Sequence, residues 1–303
     1  MKTRIFHLHA LSALHIGTGQ GVGTVDLPIA RSRATNLPLV PGSSLKGVLR
    51  DSAKTQWDKL DENDINALFG SESTVDETHA SAVAFGDAHL LLLPVRSFAG
   101  TVAYATCPFI LQRYARDMKL KHKQVQLKDN TAALCAGSEL LIKNHAKIAL
   151  EDLDMDAVAD ENAQEWAKTI ADALYPKGEK DGVEDAEDWQ KQFTERFVVL
   201  PDNVFSFLAD TATEIRMRIR IDRTTRIVEK GALWSEENLP AEAVLWGVMG
   251  IDKGRNGKNA KSAAELSAKI PTGETHIQIG GKHTVGRGLC RLMIGAEQEG
   301  GQS

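Results

Sequence analysis

Cysteine is scarce: Cys107, Cys135 and Cys290 are the only three, and no CxxC pair occurs. An odd number without paired spacing excludes a disulfide framework and gives no sign of a zinc site. Long apolar runs are missing as well, since none approaches the roughly 20 residues that cross a bilayer. Residues 1–10 alternate polar and apolar, unlike the unbroken apolar core of a secretory leader. The expected compartment is the cytoplasm. Nucleotide fingerprints are also lacking. In Gly280-Gly-Lys-His-Thr-Val-Gly-Arg-Gly288, Arg287 stands where a Walker A loop needs Lys, and Gly288 where it needs Ser or Thr. Gly17-Thr-Gly-Gln-Gly-Val-Gly23 lacks the GxGxxG spacing of a dinucleotide site. These absences disfavour a metabolic enzyme with a phosphorylated ligand, although both loops still let backbone approach a phosphate closely.

An overall positive charge is absent too, the net value being −5 over 303 residues. Its distribution carries more information than the sum. Residues 1–50 hold six Lys or Arg against one acid, residues 213–231 six against three, and residues 253–291 eight against two. Residues 151–195 hold fifteen acids against four lysines, so a negative mean hides three basic segments. Only local potential matters to a polyanion. The acidic segment is equally consistent with a solvated surface.

What is present suggests an α+β sheet fold with insertions, and no internal repeat. A strand-like start runs from Arg4 toward His15, with His7 and His9 on one face in structural roles. Pro41-Gly42-Ser43-Ser44 opens a helix with Ser43 or Ser44 suited to the N-cap. Residues 152–174 read as an acidic helix, part of a surface lobe that continues through Gly178-Glu-Lys-Asp-Gly182. Residues 214–222 read as a strand with Ile215, Met217, Ile219 and Ile221 on one face and Arg216, Arg218 and Arg220 on the other. Two further strands flank the glycine-rich stretch 280–288.

Three features bear on chemistry. The helix at Ser43 offers unpaired N–H groups and a positive dipole end, beside a stripe of Lys46, Arg50 and Lys54 at i, i+4 and i+8. An ordinary capped amphipathic helix explains the same pattern. The arginine face needs opposing anions, either RNA phosphates or carboxylates of the acidic insertion. Asp26 is the sole acid of residues 1–50. It should stay ionised and could hold a divalent metal near a phosphate, or it could pair with Arg31 or cap a turn.

Taken together the motifs resemble a known family. Asp26-Leu-Pro-Ile-Ala-Arg31, Thr35, Leu37-Pro38 and Val40-Pro-Gly-Ser-Ser-Leu-Lys-Gly-Val-Leu-Arg50 are similar to the N-terminal signature of the RAMP superfamily. The Gly280–Gly288 stretch resembles its glycine-rich loop. Glu229-Lys-Gly-Ala-Leu-Trp234, Glu237 and Pro240 look like the thumb of the Cmr-type (type III-B) CRISPR backbone subunit. Residues 151–195 match nothing in that pattern.

The resemblance implies one domain over 1–303: a ferredoxin-like (RRM-like) palm from both chain ends, helical fingers and a β-hairpin thumb. Helical or acidic insertions are expected at 51–80 and 140–200, and the thumb at 222–246 with Leu233 and Trp234. Such subunits stack as a filament on CRISPR RNA, with other Cmr-type subunits, and cut complementary target RNA at regular intervals. Asp26 corresponds to the family's cleavage residue, with Mg2+ or Mn2+ as the expected cofactor. RNA contacts are expected at His15, Arg31, Ser43, Ser44, Lys46, Arg50, Gly280, Gly281, Lys282 and Arg287. The thumb would displace a base pair and swing the freed 2′-OH in line with the next phosphate. Asp26 would orient or activate that hydroxyl, leaving a 2′,3′-cyclic phosphate. Lys282, Arg287 or His15 would take up phosphorane charge, with Glu229 a further participant. Base identity is left to guide pairing. The alternatives are a non-cleaving RNA scaffold and a stand-alone CRISPR RNA processing endoribonuclease.

Overall fold

The computed structural model describes residues 1–298 apart from 20, 22, 58–59, 72–77, 122–123, 129, 144, 179–183 and 258–259. In chain order the strands are β1 (Lys2–Ala10), β2 (Leu39–Val40), β3 (Val83–Phe85), β4 (Ala88–Arg96), β5 (Val102–Thr106), β6 (Thr131–Leu134), β7 (Lys147–Leu150), β8 (Leu153–Ala159), β9 (Phe197–Val199), β10 (Glu214–Ile221), β11 (Val228–Asn238), β12 (Val244–Ile251), β13 (Gly273–Gln278) and β14 (Leu289–Gln298). The helices are α1 (Gly42–Gln56), α2 (Glu62–Phe69), α3 (Pro108–Met118), α4 (Glu161–Leu174), α5 (Ala186–Glu195), α6 (Asp202–Thr211) and α7 (Ala263–Ser267). One large sheet has the order β13-β14-β1-β12-β4-β5-β9-β6-β8-β7, and β10-β11 form a separate two-stranded sheet. Along that path only β5–β9 and β6–β8 are parallel, so the sheet is mostly antiparallel and the class is α+β.

Both ends of the chain meet toward the β13 edge of this sheet. β1 pairs with β12 on one side and β14 on the other, which fixes the N-terminus between two C-terminal strands. Alternation in β1 suggests one wet face, yet the strand is buried from Arg4 to Ala10. Its polar side chains are satisfied inside: His7 Nε2 lies 2.8 Å from Tyr114 Oη and His9 Nε2 lies 2.9 Å from Glu242 Oε2. Arg4 donates to Ser267 O at 2.7 Å. The histidines are structural, as expected. Trp246 and Tyr114 are fully buried beside them, in edge-on contact at 5.6 Å.

The acidic region departs from expectation. Residues 153–159 form strand β8 rather than the start of a helix, because Met155 and Ala157 are buried between exposed Asp154, Asp156 and Val158 at a period of two. The helix begins only at Glu161, after Asp160 caps it by accepting from Ala163 N–H at 2.8 Å. The region is not merely a surface lobe: Trp166, Ile170, Leu174 and Phe193 belong to the same continuous core as Phe6 and Leu245. Within Gly178-Glu-Lys-Asp-Gly182, residues 179–182 lie outside the described residues.

β10 and β11 form the hairpin, in a register that sets Arg218 opposite Trp234 and Met217 opposite Ser235. It spans residues 214–238 and so begins before 222, while Trp246 belongs to β12 of the main sheet. The glycine-rich loop closes against the chain after β1. Gly281 N–H donates to His15 O at 2.9 Å and Gly288 N–H to Ala13 O at 3.0 Å. A Cβ at Gly288, where φ is +75°, would lie 1.9 Å from Ile279 O, so glycine is required there.

Two outcomes test this packing. Burial pushes the His7 imidazole down to about 4 from 6.5. The unfolded chain binds a proton there that the folded chain refuses, so stability is present above 6.5 and lost as pH falls toward 4. Between about pH 7.5 and pH 5 the unfolding free energy should fall about 2 kcal/mol less in His7→Gln than in wild type. Equal slopes in urea titrations would mean that the ring takes up its proton inside the fold. Gly288→Ala should cost about 1–3 kcal/mol, read as a lower urea midpoint.

Candidate functional site

Residues 26–31 belong to no helix or extended strand of their own. They gain order by lying beside the root of the hairpin. Leu27 makes a parallel bridge with Glu236, donating to Ser235 O at 3.1 Å and accepting from Glu237 N–H at 3.0 Å. This lays Asp26 against Ser235. Ser235 N–H and Oγ–H each donate to Asp26 Oδ2 at 2.8 Å, and Asp26 N–H is 3.0 Å from Ser235 Oγ. The backbone and hydroxyl bonds from Ser235 hold the Asp26 carboxyl below the usual carboxylate range, and the side chain is exposed. Asp26 therefore pairs neither with Arg31 nor with another cation among the described residues.

Arg31 serves as a strut. Its guanidinium bonds Glu237 Oε1 at 2.6 Å, Asp210 Oδ1 at 3.0 Å and Ala209 O at 3.1 Å. It thus ties the 26–31 segment to the hairpin root and to the C-terminal end of α6, where a cation meets unpaired carbonyls favourably. Glu237 also accepts from Ile29 N–H at 3.1 Å and Thr213 Oγ1 at 3.1 Å. His15 is buried in the same corner, with Nδ1 2.7 Å from Glu237 O. Gly280 lies against it, since a Cβ there would sit 2.4 Å from His15 O, and Gly281 bonds the same carbonyl.

Consecutive strand residues point to opposite faces. Ser235 and Glu237 face the 26–31 segment, whereas Trp234 and Glu236 face the glycine-rich loop. Glu236 is fully buried, and its Oε1 accepts from Trp234 Nε1 at 2.8 Å and pairs with Lys282 at 3.1 Å and Arg218 at 3.8 Å. Burial alone would raise its pKa, but the bonds from Trp234 and Lys282 and the charges of Lys282 and Arg218 outweigh it and lower the value. Lys282 also lies 6.0 Å over the Trp234 ring. Arg287 is nearly buried in the same loop, its backbone N–H donating to Lys282 O at 3.3 Å.

The remaining expected contacts lie elsewhere. Helix α1 starts at Gly42 with Pro41 as N-cap, so Ser43 and Ser44 are in its first turn rather than capping it. Asp87 takes the Gly42 N–H at 2.9 Å, which draws the start forward, and a Cβ at Gly42 would strike Phe85 O. Lys46 bonds Ser81 Oγ at 2.7 Å, and Arg50 reaches Gly70 O at 2.5 Å and Asn66 Oδ1 at 3.0 Å. Among the described residues the hairpin arginines pair locally, Arg216 with Glu214 and Arg220 with Glu229, not with the acidic region. Glu229 lies six residues from Ser235 along β11, about 20 Å for an extended strand. It is therefore apart from Asp26. Leu233 is 60% exposed, as are Met217 and Ile219 on that face to 61% and 49%. In the 17–23 loop, Gln20 and Val22 lie outside the described residues.

Ser235 and Glu236 escaped the sequence reading. The signal available was the run Trp234-Ser-Glu-Glu-Asn238, polar where a strand enters the core. No three His, Cys, Asp or Glu side chains gather as a metal group among the described residues. Asp26 offers one exposed carboxylate, and the adjacent glutamates are committed to cations. A divalent ion at Asp26 would draw most of its ligands from phosphate and water, as Mg2+ commonly does. No described helix is long and apolar enough to cross a membrane.

The RAMP superfamily model matches residues 7–291. The chain is 34% identical over 299 residues to the CRISPR system Cmr endoribonuclease Cmr4 of Pyrococcus furiosus, covering 97% of this chain and 96% of that protein. The crystal structure of oligomeric Cmr4 from Pyrococcus furiosus is similar with a TM-score of 0.70 at 26% identity, covering 99% of this chain and all of that one. A chain of the type III-B Cmr-beta complex bound to cognate target RNA shares the fold, with a TM-score of 0.67 at 23% identity over 96% of each chain. Matched almost end to end in both sequence and fold, the chain belongs to the RAMP superfamily and, within it, to the Cmr4 proteins.

Proposed function

We propose that this chain is the backbone subunit of a type III-B CRISPR ribonucleoprotein, binding CRISPR RNA as a filament and cutting complementary target RNA at regular intervals. The observation that carries the reading is the exposed, ionised Asp26 clamped at the root of a hairpin whose outer face is apolar. The Pyrococcus furiosus relative is named an endoribonuclease, and its structure is that of an oligomer. Strand order β14-β1-β12-β4 supports a ferredoxin-like palm built from both chain ends. The 214–238 hairpin supports the thumb, and α2 together with the β7–α5 region supports the fingers. CRISPR RNA, single-stranded target RNA, further copies and other Cmr-type subunits are the proposed partners, in the cytoplasm.

The chemistry follows from placement. The apolar face of the hairpin, wedged between guide and target, would unstack one nucleotide and free its ribose. Asp26 would accept the 2′-OH proton while the oxygen attacks the adjacent phosphorus and the 5′-oxygen of the next nucleotide leaves. Lys282, held by Glu236 beside Trp234 on the opposite face of the strand, would counter charge on the phosphate. When bound, Mg2+ or Mn2+ held by Asp26 and phosphate oxygens would supply Lewis-acid stabilisation.

Assembled complexes carrying wild-type subunit or Asp26→Ala provide the test. Cutting should fall at least about 100-fold in the variant while target affinity stays within about twofold. A 2′-deoxyribose at the displaced position should block cutting there, and EDTA should abolish cutting until Mg2+ or Mn2+ is restored. Unchanged cutting by Asp26→Ala would leave the scaffold reading in its place. Continued cutting in EDTA would remove the metal alone.

A further inference from the structure

Ser235 grips Asp26 from both its main chain and its side chain. Two donors converge on Oδ2, and the Ser235 hydroxyl oxygen lies within hydrogen-bond distance of Asp26 N–H in turn. Oδ1 has no bond from another described residue. Ser235 is 7% exposed and sits in β11 opposite Met217, with its own carbonyl held by Leu27 N–H. The fixed partner is therefore the serine, and the aspartate is the exposed group borne on a loop. An exposed side chain of this kind changes rotamer on the ps–ns scale unless its oxygens are held. Attack on phosphorus tolerates little misplacement of the accepting oxygen.

We propose, resting on the reading of Asp26 as the cutting residue, that Ser235 is its positioning residue, anchoring Oδ2 so that Oδ1 faces the 2′-OH of the displaced target nucleotide. The hydroxyl is the separable part of this grip, since the Ser235 N–H survives any substitution other than proline. Threonine keeps the hydroxyl and suits a strand. Cysteine keeps the size but donates weakly.

The test uses complexes assembled with guide RNA and complementary target, carrying Ser235→Ala, Ser235→Thr, Ser235→Cys or Asp26→Ala. Single-turnover cutting by Ser235→Ala should slow about 10- to 100-fold, the worth of one bond to a charged acceptor, with target affinity held within about twofold. Ser235→Thr should restore most of the rate and Ser235→Cys should behave as Ala does. A packing role alone would predict the reverse ranking of Cys and Thr. Wild-type rates in Ser235→Ala, with Asp26→Ala inactive, would overturn the positioning role and leave Asp26 standing. Cutting by Asp26→Ala as well would overturn both. Should Ser235→Ala fail to assemble, a wild-type rate in Ser235→Cys overturns the proposal and a slowed one supports it.

Discussion

The short parallel contact between Leu27 and the root of β11 organises everything around it. Two backbone hydrogen bonds there join residues more than 200 positions apart. A loop rich in glycine and proline has no regular ladder of its own, so its backbone groups must be satisfied by a neighbour. Once Leu27 is docked, Asp26 falls against Ser235, and Ile29 and Arg31 fall against Glu237. The same strand continues outward as the exposed hairpin, which makes the Asp26 site and the hairpin one mechanical unit.

Alternation along β11 then separates two environments on opposite faces of one strand. One side carries a carboxylate bonded only by neutral donors and left facing solvent. The other buries Glu236 under Lys282, Arg218 and Trp234, a charge that is tolerable inside only because it is paired. The chain thus offers an anionic group and a cationic group across a single strand. Much of the remaining positive charge is already engaged within the protein: Lys261 and Lys269 with buried Asp64, Arg291 with Glu274, and Arg216 and Arg220 on their own hairpin. Counts along the sequence therefore overstate how much of it an RNA would meet unpaired.

Local patterns were read well where one physical rule governed. Strict alternation over 214–222 marked β10, found at Glu214–Ile221. Charge density over residues 152–174 suggests one solvated helix; the helix holds over Glu161–Leu174, whereas a two-residue period in Leu-Asp-Met-Asp-Ala makes residues 153–159 a strand. Ser43 and Ser44 suited an N-cap by type, but Asp87, distant in sequence, supplied the capping acceptor. Of the site, Asp26 was conspicuous as the one acid among cations, and Lys282 and the glycines of 280–288 were legible as a loop. Their meeting place was not.

By itself the sequence determined the α+β class, the identity of the isolated acid and the family. These depend on residue type, period and spacing, all of which are local. Only the tertiary structure decided that Asp26 answers to Ser235 rather than Arg31, that Glu229 is remote, and that Glu236 governs Lys282. Those outcomes depend on which strand lies beside a loop. That choice is made by burial across the whole sheet, and no window of sequence contains it.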